Sequence, residues 1–375
     1  MRWLNRFRSQ PPNSTDNRFG FAVVGLGHIA TQFMEGLRDS PVCRVSAVVS
    51  GNMEKAQRIA RKNRAKHAFI YADFDHLATK NDVDAVYLAL PVSMHREFTL
   101  RAAAAGKHVL CEKPMASTAY EAQEMVEACR AAGVRLSIAY RCPHTPIYQN
   151  LRQLIENGRF GEKSSLRFKG QFGFHLKPGW RDRPNLAGGG SLFDIGIYPL
   201  NTARFLLGED PIAVENAQAT LDEHGMEREI RWTSVFPSGA RADCISSYQK
   251  DLPDTLSLSG EAGSVMVDPA FGYKKPLYFQ GEISPVQVDS GGDLHAKNGV
   301  FASIPHEIGA EKRTPIAERE TPFSHFRLEA EELANAVREG RDTITPGEDG
   351  LADMVAIEAI YKAKDLQSRF LRFFS

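Results

Sequence analysis

The side chains best suited to chemistry stand in two short runs. Glu112-Lys113-Pro114 closes the apolar stretch His108-Val-Leu-Cys111, and Asp194 and Tyr198 stand four apart in Gly188-Gly-Gly-Ser-Leu-Phe-Asp194-Ile-Gly196-Ile-Tyr198-Pro-Leu-Asn201. Taking a hydride from a carbinol carbon also requires its hydroxyl proton to leave, so such a site needs a base. A fixed ammonium polarises the oxygen and stabilises the charge that develops on it. Pro114 restricts Lys113 to an extended backbone, which fixes the direction of its side chain. A four-residue spacing puts Asp194 and Tyr198 on one helix face. Pro199 lacks an N–H and crowds the Ile195 carbonyl, so the helix kinks or restarts there. A free tyrosine titrates near about 10, and a nearby ammonium favours its phenolate. The plain alternative is a tyrosine packed in a core helix.

A second motif could hold a nucleotide. Gly25-Leu-Gly27-His28-Ile29-Ala30 fits G-x-G-x-x-G/A, follows the apolar run Phe21-Ala-Val-Val and opens a helical pattern. Gly25 allows the tight turn, Gly27 admits a pyrophosphate to the backbone, and Ala30 permits close helix–strand packing. The helix N-terminus then offers free N–H groups to phosphates. The second strand ends at Ser50-Gly51-Asn52, with no carboxylate before Glu54 to accept a ribose 2′-hydroxyl. A 2′-phosphate is therefore admitted, and Lys55 and Arg58, three apart, share the helix face beside it. The expected cofactor is NADP rather than NAD. An ordinary strand–turn–helix corner and a solvated cationic face are the alternatives.

These residues need a scaffold. Strand patterns at Phe21–Gly25, Arg44–Ser50, Val83–Leu90, His108–Cys111 and Val134–Tyr140 alternate with helical patterns from Ile29, at Met53–Asn63, Met94–Ala105 and Thr118–Ala132. That alternation predicts right-handed crossovers and a parallel sheet covered on both faces. Glu112-Lys113-Pro114 then lies past a strand's carboxyl end, where ligands bind in open α/β sheets. After Tyr140 the rhythm changes. A helix at Ile147–Asn157 and a helical segment at Ser191–Leu207 accompany strands at Ser164–Phe174, Ile212–Leu221, Glu229–Phe236, Ala240–Tyr248 and Thr255–Ser259. Short turns such as Pro237-Ser-Gly239 argue for antiparallel pairing. Helices at Phe326–Glu339 and Gly347–Ser368 close the chain, and the stretch 284–321 has little periodicity. The expected fold is an α/β Rossmann domain with a parallel sheet, followed by an α+β domain with an open, mostly antiparallel sheet. The boundaries are an arm at 1–18, a dinucleotide-binding domain at 19–142 and a substrate-binding and oligomerisation domain at 143–375.

The chain resembles the Gfo/Idh/MocA oxidoreductases, named for glucose–fructose oxidoreductase and inositol dehydrogenase. The resemblance runs from Phe19 to about Ala363. It is carried by Leu90-Pro91-Val-Ser-Met-His95, Ala105-Gly106-Lys107-His108-Val-Leu-Cys-Glu112-Lys113-Pro114, Tyr140-Arg141, Gly161, Trp180-Arg181, the block Gly188–Asn201 and Thr345-Pro-Gly-Glu-Asp-Gly350. The Gly188–Asn201 block and Ser50-Gly-Asn52 are similar to the glucose–fructose oxidoreductase branch, which uses NADP. The resemblance implies that Lys113 lies beside the reacting carbon. It also implies that Tyr198, at a position where many members carry histidine, exchanges the proton. Asp194 is expected to hydrogen-bond the substrate or the lysine. Cofactor contacts are expected at Gly25, Gly27, His28, Ile29, Ser50, Gly51, Asn52, Lys55, Pro91, His95, Glu112, Lys113, Arg141, Trp180 and Arg181. Trp180 has core packing as its alternative, and His95, His144 and His175 also fit as polar loop residues. Val92 departs from the asparagine that usually follows the proline in this family, and the segment before the last two helices is longer than in that branch.

The implied activity is hydride transfer between NADP and a sugar at an aldose C1 hydroxyl, its lactone or the matching carbonyl, with a narrower version in which NADP is held tightly and never leaves. A cyclitol or dihydrodiol dehydrogenase and a catalytically silent NADP-binding regulator are the alternatives; the regulator would keep the glycine loop but lose Lys113, Asp194 or Tyr198. The second sheet's free face is expected to pair in a homodimer or homotetramer. Composition bounds the rest. With 46 basic and 46 acidic residues among 375, the chain has no broad attraction for nucleic acid. No apolar run is long enough to span a bilayer. Five irregularly spaced cysteines read as reduced thiols, no His/Asp/Glu cluster has metal-ligand spacing, and no G-x-S-x-G elbow is present. The polar, basic start Met1–Arg18 lacks the apolar stretch of a secretory signal, so a cytoplasmic protein is expected.

Overall fold

The computed structural model describes residues 16–272, 278–283, 314–315 and 324–364. The arm expected at 1–18 and the unreadable stretch 284–321 therefore lie almost wholly outside the described residues.

The first layer is a six-stranded parallel sheet in the order β3-β2-β1-β4-β5-β6. Its strands are β1 (Phe19–Val24), β2 (Cys43–Ser50), β3 (His67–Ile70), β4 (Ala85–Leu88), β5 (His108–Glu112) and β6 (Leu136–Ala139). The crossovers carry α1 (His28–Gly36), α2 (Met53–Asn63), α3 (His95–Ala104) and α4 (Ala119–Ala131). Strand order reverses between β1 and β4, and the crevice at such a reversal is where a ligand binds. β1 is buried at every residue, as a strand covered on both faces must be. Helix caps follow the local sequence. Asn52 accepts from the Lys55 N–H at the start of α2, and Thr118 accepts from the Glu121 N–H at the start of α4. β3 and the 3₁₀ turns at Tyr71–Thr79 were not expected from sequence.

Past α5 (Arg141–His144) and α6 (Pro146–Glu156) comes an eight-stranded sheet. Its strands are β7 (Arg167–Gly173), β8 (Ala213–Leu221), β9 (Glu227–Val235), β10 (Arg241–Ser247), β11 (Thr255–Gly260), β12 (Gly263–Asp268), β13 (Tyr278–Ile283) and β14 (Thr314–Pro315). The order is β14-β13-β12-β11-β7-β10-β9-β8, antiparallel except for the parallel pair β7 and β10. Between β7 and β8 lie α7 (Pro184–Ala187), a π-helical turn at Leu192–Gly196 and α8 (Ile197–Leu207). Strand alternation splits the sheet's faces. Phe168, Trp232, Ala242, Cys244, Leu256 and Leu258 are buried, and a Cβ on Gly170 would lie 2.5 Å from Pro199 of α8. Register puts Arg167, Lys169, Arg231, Asp243 and Ser257 together on the open face, which is polar.

The last helices, α9 (Ser324–Glu339) and α10 (Gly347–Ala363), return to the first sheet. Phe326, Ala330 and Leu333 join Phe21, Phe33 and Tyr87 in one core, while Met354 and Ile357 join Val126 and Ile138 in the other. The Ile138 N–H donates to the Thr345 carbonyl, which ties the approach of α10 to β6. Among the described residues no helix is long and apolar enough to cross a membrane.

Candidate active site

The glycine turn fits a dinucleotide. Gly25 has φ +84°, and a Cβ there would lie 2.4 Å from the Ala89 carbonyl oxygen, so glycine is required. Gly27 is the N-cap of α1, exposed, with nothing within 4 Å of where a Cβ would be. No side chain caps α1 and no acid lies in its first turn, so its N–H groups face an open, positively polarised space. His28 is exposed, with its ring 2.8 Å from Gln32 Nε2, and Ile29 is half-buried. At the end of β2, Ser50 is buried and Oγ accepts from the Asn52 N–H, while Gly51 borders the Tyr71 ring. Asn52 is exposed and Lys55 half-buried. The ion pairs among the described residues leave Lys55 and Arg58 without a carboxylate partner.

Lys113, Asp194 and Tyr198 meet at the other end of the crevice. Lys113 Nζ donates to the Asp194 backbone carbonyl and, at 3.3 Å, to Asp194 Oδ1. It also lies 4.4 Å from the centroid of the Tyr198 ring. Asp194 Oδ2 accepts from Arg181 Nε at 2.7 Å and from the Tyr248 hydroxyl at 2.9 Å. Of the two roles expected for Asp194, this geometry favours the bond to lysine, because its oxygens are already engaged. Burial pushes the Asp194 carboxyl up, but Lys113, Arg181 and the Tyr248 bond outweigh it and hold the group at about 2. Burial works against the Lys113 ammonium, yet Tyr198, Asp194 and Glu112 together raise it, so Lys113 is a cation and no base in this state.

Pro199 explains how Asp194 comes to face Lys113. The sequence expectation was a kink or a restart, and the chain restarts: a π turn over Leu192–Gly196 gives way to α8 at Ile197, with Pro199 in the first turn. In π geometry the Asp194 carbonyl would take its bond from residue 199, which has no N–H. The lysine ammonium donates to it instead.

Tyr198 is half-buried among aromatic rings rather than sealed in a core. Phe271 lies near-parallel at 6.3 Å between centroids, Phe172 lies at 6.2 Å, and the Arg141 guanidinium sits 5.0 Å above its ring. Arg141 is buried, hydrogen-bonds Tyr198 and donates to the Phe271 carbonyl at 2.6 Å. Asp254 in turn accepts from the N–H groups of Phe271 and Gly272, which fixes that loop.

The remaining expected residues fall in varied surroundings. Leu90, Val92, Lys113, Trp180, Arg181 and Asp194 line a cleft; Tyr198 does not line it. Trp180 is 43% exposed under the Arg181 guanidinium, so core packing is excluded. Glu112 is half-buried and accepts from the Tyr87 hydroxyl; burial lifts its carboxyl despite that bond and Lys113. Pro91 caps the short turn Val92–Met94. His95 also borders this cleft; its ring is buried with the nitrogens 3.0 Å from the Leu90 and Pro114 carbonyls, and since burial disfavours its charged form, its one N–H donates to one of the two. Val92 packs on the glycine triplet, 2.8 Å from where a Gly188 Cβ would be. His144 is likewise buried, and His175 lies on an exposed loop. Sequence reading missed Tyr248, Arg141's partner Phe271, and Glu227, all brought in from distant parts of the second sheet and its loops. Among the described residues no group of three His, Cys, Asp or Glu side chains is placed to hold a metal ion.

Comparison with known proteins adds to this geometry. Residues 19–140 match the oxidoreductase family with an NAD-binding Rossmann fold, and residues 148–266 match the GFO/IDH/MocA C-terminal domain. A D-xylose 1-dehydrogenase [NADP(+)] of Haloarcula marismortui is 31% identical over 377 residues, covering 96% of this chain and 94% of its own. The crystal structure of aldose-aldose oxidoreductase from Caulobacter crescentus complexed with glycerol superposes with a TM-score of 0.80 at 34% identity, covering 93% of this chain and 98% of that one. A trans-1,2-dihydrobenzene-1,2-diol dehydrogenase of Mus musculus is 30% identical over 249 residues, 66% of this chain and 74% of its own.

Proposed function

The chain belongs to the Gfo/Idh/MocA oxidoreductase family, and from that premise we propose that it is an NADP-dependent oxidoreductase of sugars, acting at an aldose C1 hydroxyl or the matching carbonyl. The observation that carries this reading is the contact of Lys113 with both Asp194 and Tyr198 at the carboxyl edge of the parallel sheet. The relatives that act on aldoses support the substrate class.

NADP, when bound, supplies or accepts the hydride. The chain's own residues do the rest. The α1 N-terminus and the Gly25–Gly27 turn hold the pyrophosphate, and the acid-free end of β2 with Lys55 and Arg58 receives the 2′-phosphate. Lys113 directs its ammonium at the substrate oxygen and stabilises negative charge there. Asp194 fixes the direction of that ammonium and stays ionised. Tyr198, beside the cleft with the Lys113 ammonium over its ring, exchanges the proton of the substrate hydroxyl. Arg181 and Tyr248 hold Asp194 from the cleft side.

The five cysteines, all buried free thiols, suit a reducing, cytoplasmic setting. Pairing of the open sheet face into a homodimer or homotetramer would be polar in character, since that face carries Arg167, Lys169, Arg231 and Asp243. A dihydrodiol is the second substrate reading, favoured by the Phe172 and Phe271 rings beside Tyr198 and by the murine relative. The test is to follow reduced nicotinamide absorbance while offering NADP with aldoses, cyclitols and a dihydrodiol. Reduction with aldoses above the others is expected. Turnover with a dihydrodiol alone would transfer the reading to that substrate, and no turnover with any would overturn it. The same spectra, taken without added NADP, report whether cofactor is retained through purification and cycles between two sugars.

A further inference from the structure

The turn that carries Asp194 is itself held from behind. Glu227, the first residue of β9, is 4% exposed, and its Oε1 accepts from the Leu192 N–H at 3.0 Å and from the Tyr361 hydroxyl at 2.9 Å. Leu192 opens the π turn, and Tyr361, 1% exposed, comes from α10. Two glycines of the triplet make room for this contact. A Cβ on Gly190 would lie 1.9 Å from the Glu227 carbonyl oxygen and 2.7 Å from its carboxyl carbon, and one on Gly189 would lie 2.9 Å from the Tyr361 hydroxyl. Two residues past the held amide, Asp194 meets Lys113 through both its carbonyl and its carboxylate.

A buried carboxyl is a costly way to fill space. Burial pushes Glu227 up to about 7, against hydrogen bonds from its own N–H, Tyr361, Leu192 and Gly190. An apolar side chain would avoid that cost, but it could not grip an N–H at the first residue of a turn. A turn in π geometry, lacking the regular α ladder, needs such an outside acceptor to keep one arrangement.

We propose that Glu227 and Tyr361 form a positioning clamp which, by holding the Leu192 amide, sets where Asp194 orients the Lys113 ammonium. The inference rests on the role given above to Lys113 and Asp194. Neither clamp residue touches the substrate; each acts through the π turn.

The test uses the full-length Tyr361→Phe and Glu227→Gln proteins. Tyr361→Phe keeps the ring and removes the hydroxyl that donates to Glu227. It is expected to leave NADP binding unchanged, to speed hydrogen exchange at the amides of 192–198, and to lower kcat about tenfold with KM within about twofold. Glu227→Gln sets an NH₂ group among N–H donors and is expected to lower kcat further in the same pattern. Unchanged exchange at 192–198 in both variants would overturn the clamp. Faster exchange with kcat kept within twofold would overturn its positioning role. Parallel loss of melting temperature, NADP binding and kcat would reduce the pair to general packing. If the unaltered protein oxidised no sugar or diol, the reading of the reaction would fail, while the exchange at 192–198 would still decide whether the pair holds the turn.

Discussion

The ammonium of Lys113 lies over the face of Tyr198, 4.4 Å from the ring centroid, while its N–H groups point to Asp194. One cation thus bridges an ionised acid and a phenol. The acid is committed to the cation, so the phenol is the group left to exchange a proton.

Tyr198→Phe tests that division. The variant keeps the ring, its cation–π contacts and its packing on Phe271, so fold and NADP affinity are expected to stay unchanged. Loss of a general base costs about 10²–10⁴ in rate, and kcat should fall by that factor. Steady-state kinetics with a cofactor titration decides it; turnover within a few-fold of the parent would move the proton to another group.

Asp194→Asn should harm orientation and stability together. Breaking a buried pair costs roughly 3–5 kcal/mol, and the partial exposure of Arg181 argues for the lower end. Urea unfolding is expected to show a loss near about 3 kcal/mol. Because Asp194 is held at about 2, its titration should add no limb to the parent's kcat profile from weakly acid to weakly alkaline pH. A limb that vanishes in the asparagine variant would refute the ionised role.

Lys55→Ala and Arg58→Ala test cofactor choice. Each removes one cation from the acid-free end of β2. A lost hydrogen bond to a charged group is worth about 1.5–3 kcal/mol, so KM for NADP should rise by about tenfold or more, with KM for NAD little changed. Equal effects on both cofactors would place these side chains away from the 2′-phosphate.

Much of this site was readable in the chain, for reasons particular to each residue. The Gly25–Ala30 turn and the ends of α2 follow from local rules: positive φ at Gly25, an Asn52 cap, an apolar strand before them. Lys113 was readable because a proline follows it at a strand end. Strand β3 was not, because all four residues of His67–Ile70 are half-buried and show no alternation. The parallel β7–β10 pair was not, since pairing partners 74 residues apart leave no local signal (Arg167 with Arg241). Tyr248 and Glu227 reach the site through register and sheet packing alone. His95 was expected at the cofactor and borders the cleft; that its ring is buried between the Leu90 and Pro114 carbonyls depended on the fold. Pro199 announced a break, but that the break would be a π turn freeing the Asp194 carbonyl depended on Lys113 waiting across the crevice.

Stability should fall in mild acid through His144. This ring, on the last residue of α5, is buried, with Nε2 3.2 Å from Thr345 Oγ1 and Nδ1 without a partner among the described residues. Burial lowers it to about 4, although Glu332 pulls the other way, and the neighbouring His325 is lowered to about 3 by burial, Arg141 and His144. An unfolded histidine titrates near about 6.5. Between those values the unfolded chain binds a proton that the folded chain refuses, so stability rises with pH there. The contribution is complete above about 6.5 and is lost as pH falls toward 4, on the order of 3 kcal/mol. Urea unfolding at neutral pH and near pH 4 is expected to show that loss in the parent and a clearly smaller one in His144→Asn, whose side chain does not titrate. An equal loss in both proteins would assign the acid sensitivity to other groups, His325 first among them.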